Sequence, residues 1–224
     1  MPDTKDTFDS ISQKYDLIND IISLKTHTIW KKNFIKLFEP KGKLLDVATG
    51  TGDIAIMIKE NYPNTQVFAL DPSKKMLEIA NNRKKGSSIN FIEGCCEEIP
   101  FPDSTFDFVT ITFGLRNTKS VATSLDEIKR VLKNDGKLVL MEFSKSDNLI
   151  IKVFYKFYLN IFIPFIGLLF GKFAEYKYLA SSIESFYTPK EMNKILNSKR
   201  LNVIQNIKYN FGLVSVYISN NSKS

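Results

Sequence analysis

Histidine and cysteine are scarce in this 224-residue sequence, and their scarcity excludes several kinds of site. The two cysteines, Cys95 and Cys96, are adjacent, so neither a disulfide framework nor a zinc site with C-x-x-C spacing is predicted. The single histidine, His27, excludes a histidine-rich metal centre. The stretch from Met1 to Ser12 lacks the apolar run of a secretory signal, and we expect a cytoplasmic protein that binds no metal.

The chain contains no internal repeat and no glycine- or serine-rich linker. Its length suits one domain of about 200 to 250 residues, so we expect a single domain over residues 1–224. The formal net charge is +7. A basic surface can attract nucleic acid, acidic substrates or anionic lipid, although a simple compositional bias would explain the charge equally well.

Predicted strands alternate with predicted helices through the middle of the chain. Apolar runs bounded by turn residues predict strands at Lys43–Ala48, Gln66–Leu70, Ser88–Glu93, Phe106–Thr112 and Lys137–Phe143. Residues 202–208 and 213–218 predict a closing antiparallel hairpin. Strands spaced by helices form a mostly parallel sheet. A seven-stranded sheet of this kind resembles the Rossmann-like α/β fold of class I methyltransferases, which we therefore expect.

Two helical pieces are predicted before the first strand. Apolar residues recur at spacings of three and four between Phe8 and Ile22, and a second helix is predicted from Thr28 to Phe38. We expect residues 1–40 to form an N-terminal helical cap that covers the site as a lid.

A glycine turn follows the first predicted strand. Gly50 and Gly52 allow ligand atoms to approach the backbone closely, and the next helix begins with unpaired N–H groups that suit a carboxylate. S-adenosyl-L-methionine carries such a carboxylate, whereas a dinucleotide would favour a third glycine, and Ile54 and Ala55 follow here instead. A tight structural turn without a ligand remains the alternative.

The next three strands end in groups that suit the rest of the same cofactor. Asp71 lies 19 residues after Gly52 and can accept both ribose hydroxyls, unless it only caps a helix beside Pro72. Cys95 and Cys96 follow the third strand, where an adenine would pack, and Thr112 ends the fourth. Ligands of such sheets bind outside the carboxyl ends of the strands, so these residues predict one site.

Several short sequence elements make the resemblance specific to one family of methyltransferases. They are Tyr15-Asp16-Leu17-Ile18-Asn19-Asp20, His27-Thr28-Ile29-Trp30-Lys31, Phe113-Gly114-Leu115-Arg116-Asn117, Leu140-Met141-Glu142-Phe143 and Tyr176-Lys177-Tyr178-Leu179-Ala180. From about Phe8 onward the chain closely resembles the ubiquinone/menaquinone biosynthesis C-methyltransferase family.

The resemblance implies transfer of a methyl group from S-adenosylmethionine to a ring carbon of a prenylated quinol. The cofactor contacts that it implies are Thr51, Asp71, Cys95, Cys96 and Thr112. The family often has Asn-Ala at the cysteine positions and Ser at position 112. We therefore expect the adenine contact near Cys95 to come from the backbone.

A quinol ring carbon becomes nucleophilic when a neighbouring hydroxyl loses its proton, so the site must stabilise a phenolate. Arg116 is the first candidate, because a guanidinium stays protonated and can hold the phenolate or orient a water. Asn117 can bind a quinol oxygen, and Tyr15 with Asn19 can act from the lid. The alternatives are a surface or capping role for Arg116 and helix packing for the lid residues. His27 could be a base but is expected to pack beside Trp30.

The segment from Leu149 to Phe173 is strongly apolar and lies within a predicted insertion over residues 149–187. A polar stripe of Lys152, Lys156 and Asn160 opposes a transmembrane span, and Pro164 and Gly167 are expected to interrupt the helix. We expect it to lie at a membrane surface or to line a tunnel for the prenyl tail. Packing in the core or in a homodimer interface is the alternative.

Demethylmenaquinol is the expected substrate, with the ubiquinone precursor 2-methoxy-6-polyprenyl-benzoquinol as the alternative. A non-catalytic quinone-binding protein is a further alternative, opposed by the intact Gly50, Gly52, Asp71 and Arg116. RNA methylation rests on charge alone, and no nucleic-acid partner is expected.

Overall fold

The computed structural model describes residues 26–84, 86–146 and 148–222. Its α-helices are α1 (Thr26–Phe34), α2 (Asp53–Asn61), α3 (Lys74–Arg83), α4 (Val121–Val131), α5 (Leu149–Phe157), α6 (Ile163–Leu169), α7 (Phe173–Ser185) and α8 (Pro189–Ser198). Its strands are β1 (Lys43–Val47), β2 (Gln66–Asp71), β3 (Ile89–Glu93), β4 (Phe106–Thr112), β5 (Leu132–Phe143), β6 (Leu201–Tyr209) and β7 (Val214–Asn221). Short 3₁₀ turns lie at Leu115–Asn117 and Asn210–Gly212, and a π turn at Tyr158–Phe162.

Within the described residues the strands form one seven-stranded sheet in the order β3-β2-β1-β4-β5-β7-β6. Strands β1 to β5 pair in parallel, and β7 runs antiparallel to both β5 and β6. The predicted fold class, with its closing hairpin, is confirmed. The chain order reverses between β1 and β4, so the carboxyl ends of these strands border the crevice in which such sheets bind ligands.

Apolar residues alternate between the two faces of the sheet and form a core on each. Along β5, Leu138 and Leu140 face one core, whereas Val139 and Met141 face the other. Helices α4 and α8 cover the first face, and α1 and α2 cover the second. Burial on both sides explains why the central strands are near-continuous apolar runs.

Two helix starts follow from local side-chain chemistry. The Ser73 hydroxyl accepts a hydrogen bond from Met76 N at 3.1 Å and so caps the start of α3. Thr188 and Glu191 form a capping box around Pro189 at the start of α8. These caps set where the helices begin after β2 and after the insertion.

Two sequence predictions differ from the structure by four or five residues at one boundary. The helix expected at Thr28–Phe38 runs from Thr26 to Phe34. The strand expected from Lys137 begins at Leu132. Leu132 pairs with Phe106, and the register then shifts, so that Lys137 pairs with Phe108. The predicted helix around residues 8–22 lies outside the described residues.

The predicted interruption of the apolar segment at Pro164 and Gly167 is wrong. The Ile163 N–H donates to Tyr158 O in the π turn, and this shift of the hydrogen-bond ladder accommodates the proline that follows. A Cβ atom at Gly167 would lie 2.6 Å from Tyr176 Cβ, so this glycine permits close packing of α6 on α7. In the described part of the chain, one helix, Leu149–Leu169, is therefore long and apolar enough to cross a membrane by length and composition.

Candidate active site

The glycine turn connects β1 to α2 through left-handed backbone conformations. Gly50 has φ 57° and Gly52 has φ 83°. A Cβ atom at Gly50 would meet nothing within 4 Å, whereas one at Gly52 would lie 2.9 Å from Ala80 Cβ. Gly50 therefore leaves its backbone open to a ligand, and Gly52 closes the turn against α3.

Asp71 connects the end of β2 to this turn. Its Oδ2 accepts a hydrogen bond from Gly50 N at 2.8 Å, and its Oδ1 accepts one from Ser73 N at 2.9 Å. The cap of α3 is Ser73, so the alternative of Asp71 as the helix cap is wrong. A carboxylate oxygen can accept a second hydrogen bond, which leaves capacity for ligand hydroxyls.

Two cavities of unlike character meet at the carboxyl edge of the sheet. The smaller, of about 200 Å³, is lined by five of the predicted cofactor residues, namely Gly50, Asp71, Cys95, Cys96 and Thr112. The larger, of about 660 Å³, is lined by Thr51 together with Arg116 and Asn117. Gly50, Thr112 and Asn117 line both cavities. The structure thus brings the predicted residues together, except that Gly52 lines neither cavity and Tyr15 and Asn19 lie outside the described residues.

The cysteines contribute little reactive chemistry to the smaller cavity. Cys96 is buried, and its thiol lies 3.9 Å from Ser124 O. Burial raises the pKa of Cys96 to about 12, which keeps the thiol protonated. Cys95 is half-buried and forms an isolated backbone bridge with Glu98.

A cluster of charges lies beside the glycine turn, where α2 begins. Lys31 Nζ and Arg83 Nη2 each lie 2.6 Å from a carboxylate oxygen of Asp53. Although burial raises the pKa of Asp53, the two cations hold it below its ordinary value. Two cations share one carboxylate, so the cluster keeps a net positive charge at a helix N-terminus. Sequence reasoning missed all three residues, although the position of Asp53 directly after Gly52 was a usable signal.

Asp46 lies beneath the same turn and is buried. The hydroxyls of Thr49 and Thr110 donate to its two oxygens at 2.6 and 2.7 Å. Burial raises the pKa of Asp46 to about 6, although the two hydroxyls lower it. These hydrogen bonds connect the glycine turn to β1 and β4 and thereby fix its position.

Arg116 forms a buried ion pair with Glu142 of β5. Arg116 Nη1 lies 2.7 Å from Glu142 Oε1, and the two side chains are only 3% and 1% exposed. The same Nη1 donates to Phe113 O, and the guanidinium carbon lies 5.1 Å from the centre of the Phe143 ring. The surface-arginine alternative is therefore wrong. Sequence reasoning missed Glu142, although a carboxylate inside a buried strand requires a partner.

Asn117 lies where the two cavities meet. Its Nδ2 lies 3.3 Å from Phe113 O, and its Oδ1 accepts a hydrogen bond from Tyr178 Oη at 3.4 Å. Tyr178 belongs to α7, so this contact connects the insertion to the loop that carries Arg116. His27 and the buried Trp30 also line the larger cavity.

The far wall of the larger cavity is apolar and aromatic. The insertion supplies most of it, through Ile151, Phe154, Tyr155, Tyr158, Phe162, Ile163, Tyr176 and Leu179. A cavity with cations at one end and apolar walls at the other suits a ligand with a polar head and an apolar tail.

Comparison with known proteins identifies the family to which this chain is similar. A model of the ubiE/COQ5 methyltransferase family matches residues 3–221. The demethylmenaquinone methyltransferase of Thermotoga maritima is 40% identical over 204 residues, covering 88% of this chain and 86% of that protein. The ubiquinone/menaquinone biosynthesis C-methyltransferase UbiE of Geobacter sulfurreducens is 36% identical over 220 residues, covering 95% of this chain and 86% of that protein.

Solved structures share the fold at low sequence identity. A SAM-dependent methyltransferase of Thermotoga maritima superposes with a TM-score of 0.70 at 18% identity, covering 98% of this chain and 100% of that one. A SAM-dependent methyltransferase of Aquifex aeolicus gives a TM-score of 0.63 at 20% identity, covering 85% and 88%.

Proposed function

The chain belongs to the ubiE/COQ5 methyltransferase family, and from that premise we propose that it methylates a ring carbon of demethylmenaquinol to give menaquinol. It is an S-adenosylmethionine-dependent methyltransferase. The observation that carries the proposal is the meeting of two unlike cavities at Thr112 and Asn117. One suits a nucleoside, and the other suits a prenylated ring.

The residues present fit the cofactor. Asp71 would hold the ribose in the smaller cavity, and the backbone near Cys95 would hold the adenine. The open Gly50, the start of α2 and the Lys31–Asp53–Arg83 cluster would hold the methionine carboxylate. When bound, S-adenosylmethionine would supply an electrophilic methyl group and leave as S-adenosylhomocysteine, and the ring carbon that gains the methyl group would release its own proton to water.

The catalytic residues that we propose are Arg116, Asn117 and Tyr15. Arg116 stabilises the quinol oxygen as it loses its proton, because the guanidinium stays charged. Asn117 lies between the cavities and orients the ring toward the methyl donor. We propose that the chain is one domain over residues 1–224 and that residues 1–40 form a cap on it. Tyr15 belongs to this cap and acts on the substrate from there.

Membrane association is part of the proposal, because a prenylated quinol dissolves in lipid. The helix Leu149–Leu169 exposes one apolar stripe, with Val153, Phe154 and Phe157 more than half exposed, as are Ile161, Phe165 and Leu168. Lys152, Lys156 and Asn160 are also exposed. Such a helix can lie in the interface of an anionic bilayer, so we propose a cytoplasmic protein bound peripherally to the inner face of the membrane.

Methylation of short-chain quinols by the purified full chain tests the function. S-adenosylmethionine with a labelled methyl group is supplied with demethylmenaquinol or, separately, with 2-methoxy-6-prenyl-benzoquinol, and the products are identified by mass spectrometry. We expect label on the ring carbon, with the higher kcat/KM for demethylmenaquinol. A higher kcat/KM for the benzoquinol would establish the alternative substrate. Calorimetry that shows quinol binding but no S-adenosylmethionine binding, together with no methylation, would establish a non-catalytic quinone-binding protein.

A further inference from the structure

Tyr155 lines the larger cavity from α5, and its hydroxyl makes no hydrogen bond to any described residue. Its ring stacks against that of Tyr158, with the centroids 6.2 Å apart. Burial raises the pKa of Tyr155; the neighbouring Tyr158 and the Glu142 charge raise it further, and the Arg116 charge lowers it. Tyr155 and Arg116 line the same cavity, and the Tyr155 hydroxyl stays protonated at neutral pH, so it can donate a hydrogen bond there.

Arg116 keeps unused donors in the cavity that Tyr155 also lines. Its Nη1 is occupied by Glu142 and by Phe113 O. Its Nη2 makes no hydrogen bond to the described part of the chain, and its Nε is buried there without a partner. A buried donor that lacks an acceptor costs about 1–3 kcal/mol, and the guanidinium therefore has donor capacity that no described residue uses.

We propose that Tyr155 Oη and Arg116 Nη2 form a donor pair that binds the ionised ring oxygen of the substrate. This inference rests on the proposed quinol methylation and adds a catalytic residue from the insertion, to which only a tail- or membrane-binding role is otherwise assigned. Glu142 is a positioning residue, because its Oε1 holds Nη1 and leaves Nη2 available to a ligand of the cavity that Arg116 lines.

A neutral donor beside a charged one suits a phenolate. The hydroxyl of Tyr155 binds the ionised oxygen more strongly than the neutral one, because hydrogen bonds to charged groups are about twice as strong. Lys31, Asp53 and Glu175 also line the cavity, but they are unchanged by a substitution at Tyr155. A comparison of the wild type with the Tyr155→Phe variant therefore isolates one donor.

The first test measures ionisation without methyl transfer. The full chain binds 4-nitro-1-naphthol as a chromophoric phenol, and absorbance reports the fraction ionised as pH is varied. We expect the wild type to lower the pKa of the bound naphthol below that of the free compound, and Tyr155→Phe to remove about one pKa unit of that shift. Tyr187→Phe is the matched control, since Tyr187 packs against Phe186 and lines neither cavity among the described residues.

The second test measures turnover of the quinol. Tyr155→Phe should lower kcat about 100-fold and leave the Kd for S-adenosylmethionine unchanged, whereas Tyr187→Phe should behave as wild type. An unshifted naphthol pKa in the wild type, or equal values in wild type and Tyr155→Phe, would overturn the donor pair even if quinol is methylated. A naphthol shift that depends on Tyr155, in a protein that methylates no quinol, would instead overturn the proposed function and support the pair.

Discussion

Arg116 and Glu142 form a buried ion pair that joins the loop after β4 to the end of β5. Glu142 Oε1 also accepts Phe143 N at 2.8 Å, and its Oε2 accepts Arg116 N at 3.2 Å. Burial raises the pKa of Glu142, and the guanidinium opposes that rise. The carboxylate thus fixes both the backbone and the side chain of Arg116 where the cavities meet.

Glu142→Ala should lower the free energy of unfolding by about 3–5 kcal/mol, because it leaves the Arg116 charge buried without compensation. The double variant Arg116→Met/Glu142→Leu should be more stable than Glu142→Ala, since neither charge remains. Urea denaturation measures both changes. Lys133→Ala is the control, because it removes a partly exposed ion pair with Asp107 and should cost less than about 1 kcal/mol. Equal losses in Glu142→Ala and Lys133→Ala would contradict the prediction.

Asp46 should make stability fall as pH rises from about 4 to about 6. Its pKa is raised from 3.8 to about 6, so in this range the folded state binds more protons than the unfolded state. The free energy of unfolding then decreases with pH, by about 3 kcal/mol at most. Asp46→Asn removes this dependence. Urea denaturation of both proteins at several pH values should therefore give a difference that levels off above pH 6, and parallel curves would refute the prediction.

Asp71→Asn should weaken binding of S-adenosylmethionine about 10- to 100-fold, because hydrogen bonds to a charged acceptor contribute about 1.5–3 kcal/mol. The KM for the quinol should change little, since Asp71 lines only the smaller cavity. Calorimetry measures the Kd. Asp103→Asn is the control, because Asp103 is exposed and pairs only with surface groups. A Kd within threefold of wild type would show that Asp71 serves the turn alone.

The two cysteines should differ in reactivity. Cys95 is half-buried in the smaller cavity and should react with a thiol reagent, and S-adenosylmethionine should protect it. Cys96 should stay unreactive until the protein unfolds, because it is buried and its pKa is raised to about 12. If the backbone makes the adenine contact, Cys95→Asn should leave the Kd for S-adenosylmethionine within about threefold of the wild-type value. Mass spectrometry of the labelled peptides separates the two sites, and equal labelling would contradict the assignment.

The strands and the main site residues could be predicted because both depend on local patterns. Apolar runs between turn residues located β1, β2 and β4; Gly50 lies in the turn after β1, and Asp71 and Thr112 are the last residues of β2 and β4. The carboxyl ends of parallel strands share one edge, so sequence position alone placed these residues together.

The charge pairs could not be predicted because they join distant parts of the chain. Lys31 and Asp53 are 22 residues apart, and Arg116 and Glu142 are 26 apart. Their pairing depends on how α1 and β5 pack, which no local period encodes. The continuous helix through Pro164 was missed for a similar reason, since a π turn leaves no clear signal in composition.

Replacing Phe157, Ile161 and Leu168 with serine should reduce binding to vesicles that contain anionic lipid by at least about tenfold, since burying each apolar side chain contributes about 1.5–3 kcal/mol. These side chains are 60%, 55% and 62% exposed and line neither cavity among the described residues, so the fold and the kcat for a short-chain quinol should persist. Ile204→Ser is the control, because Ile204 is 56% exposed on β6. Co-sedimentation measures vesicle binding, and size-exclusion chromatography measures oligomeric state. Unchanged vesicle binding with a dimer that dissociates in the triple variant would assign the stripe to a homodimer interface instead of the membrane.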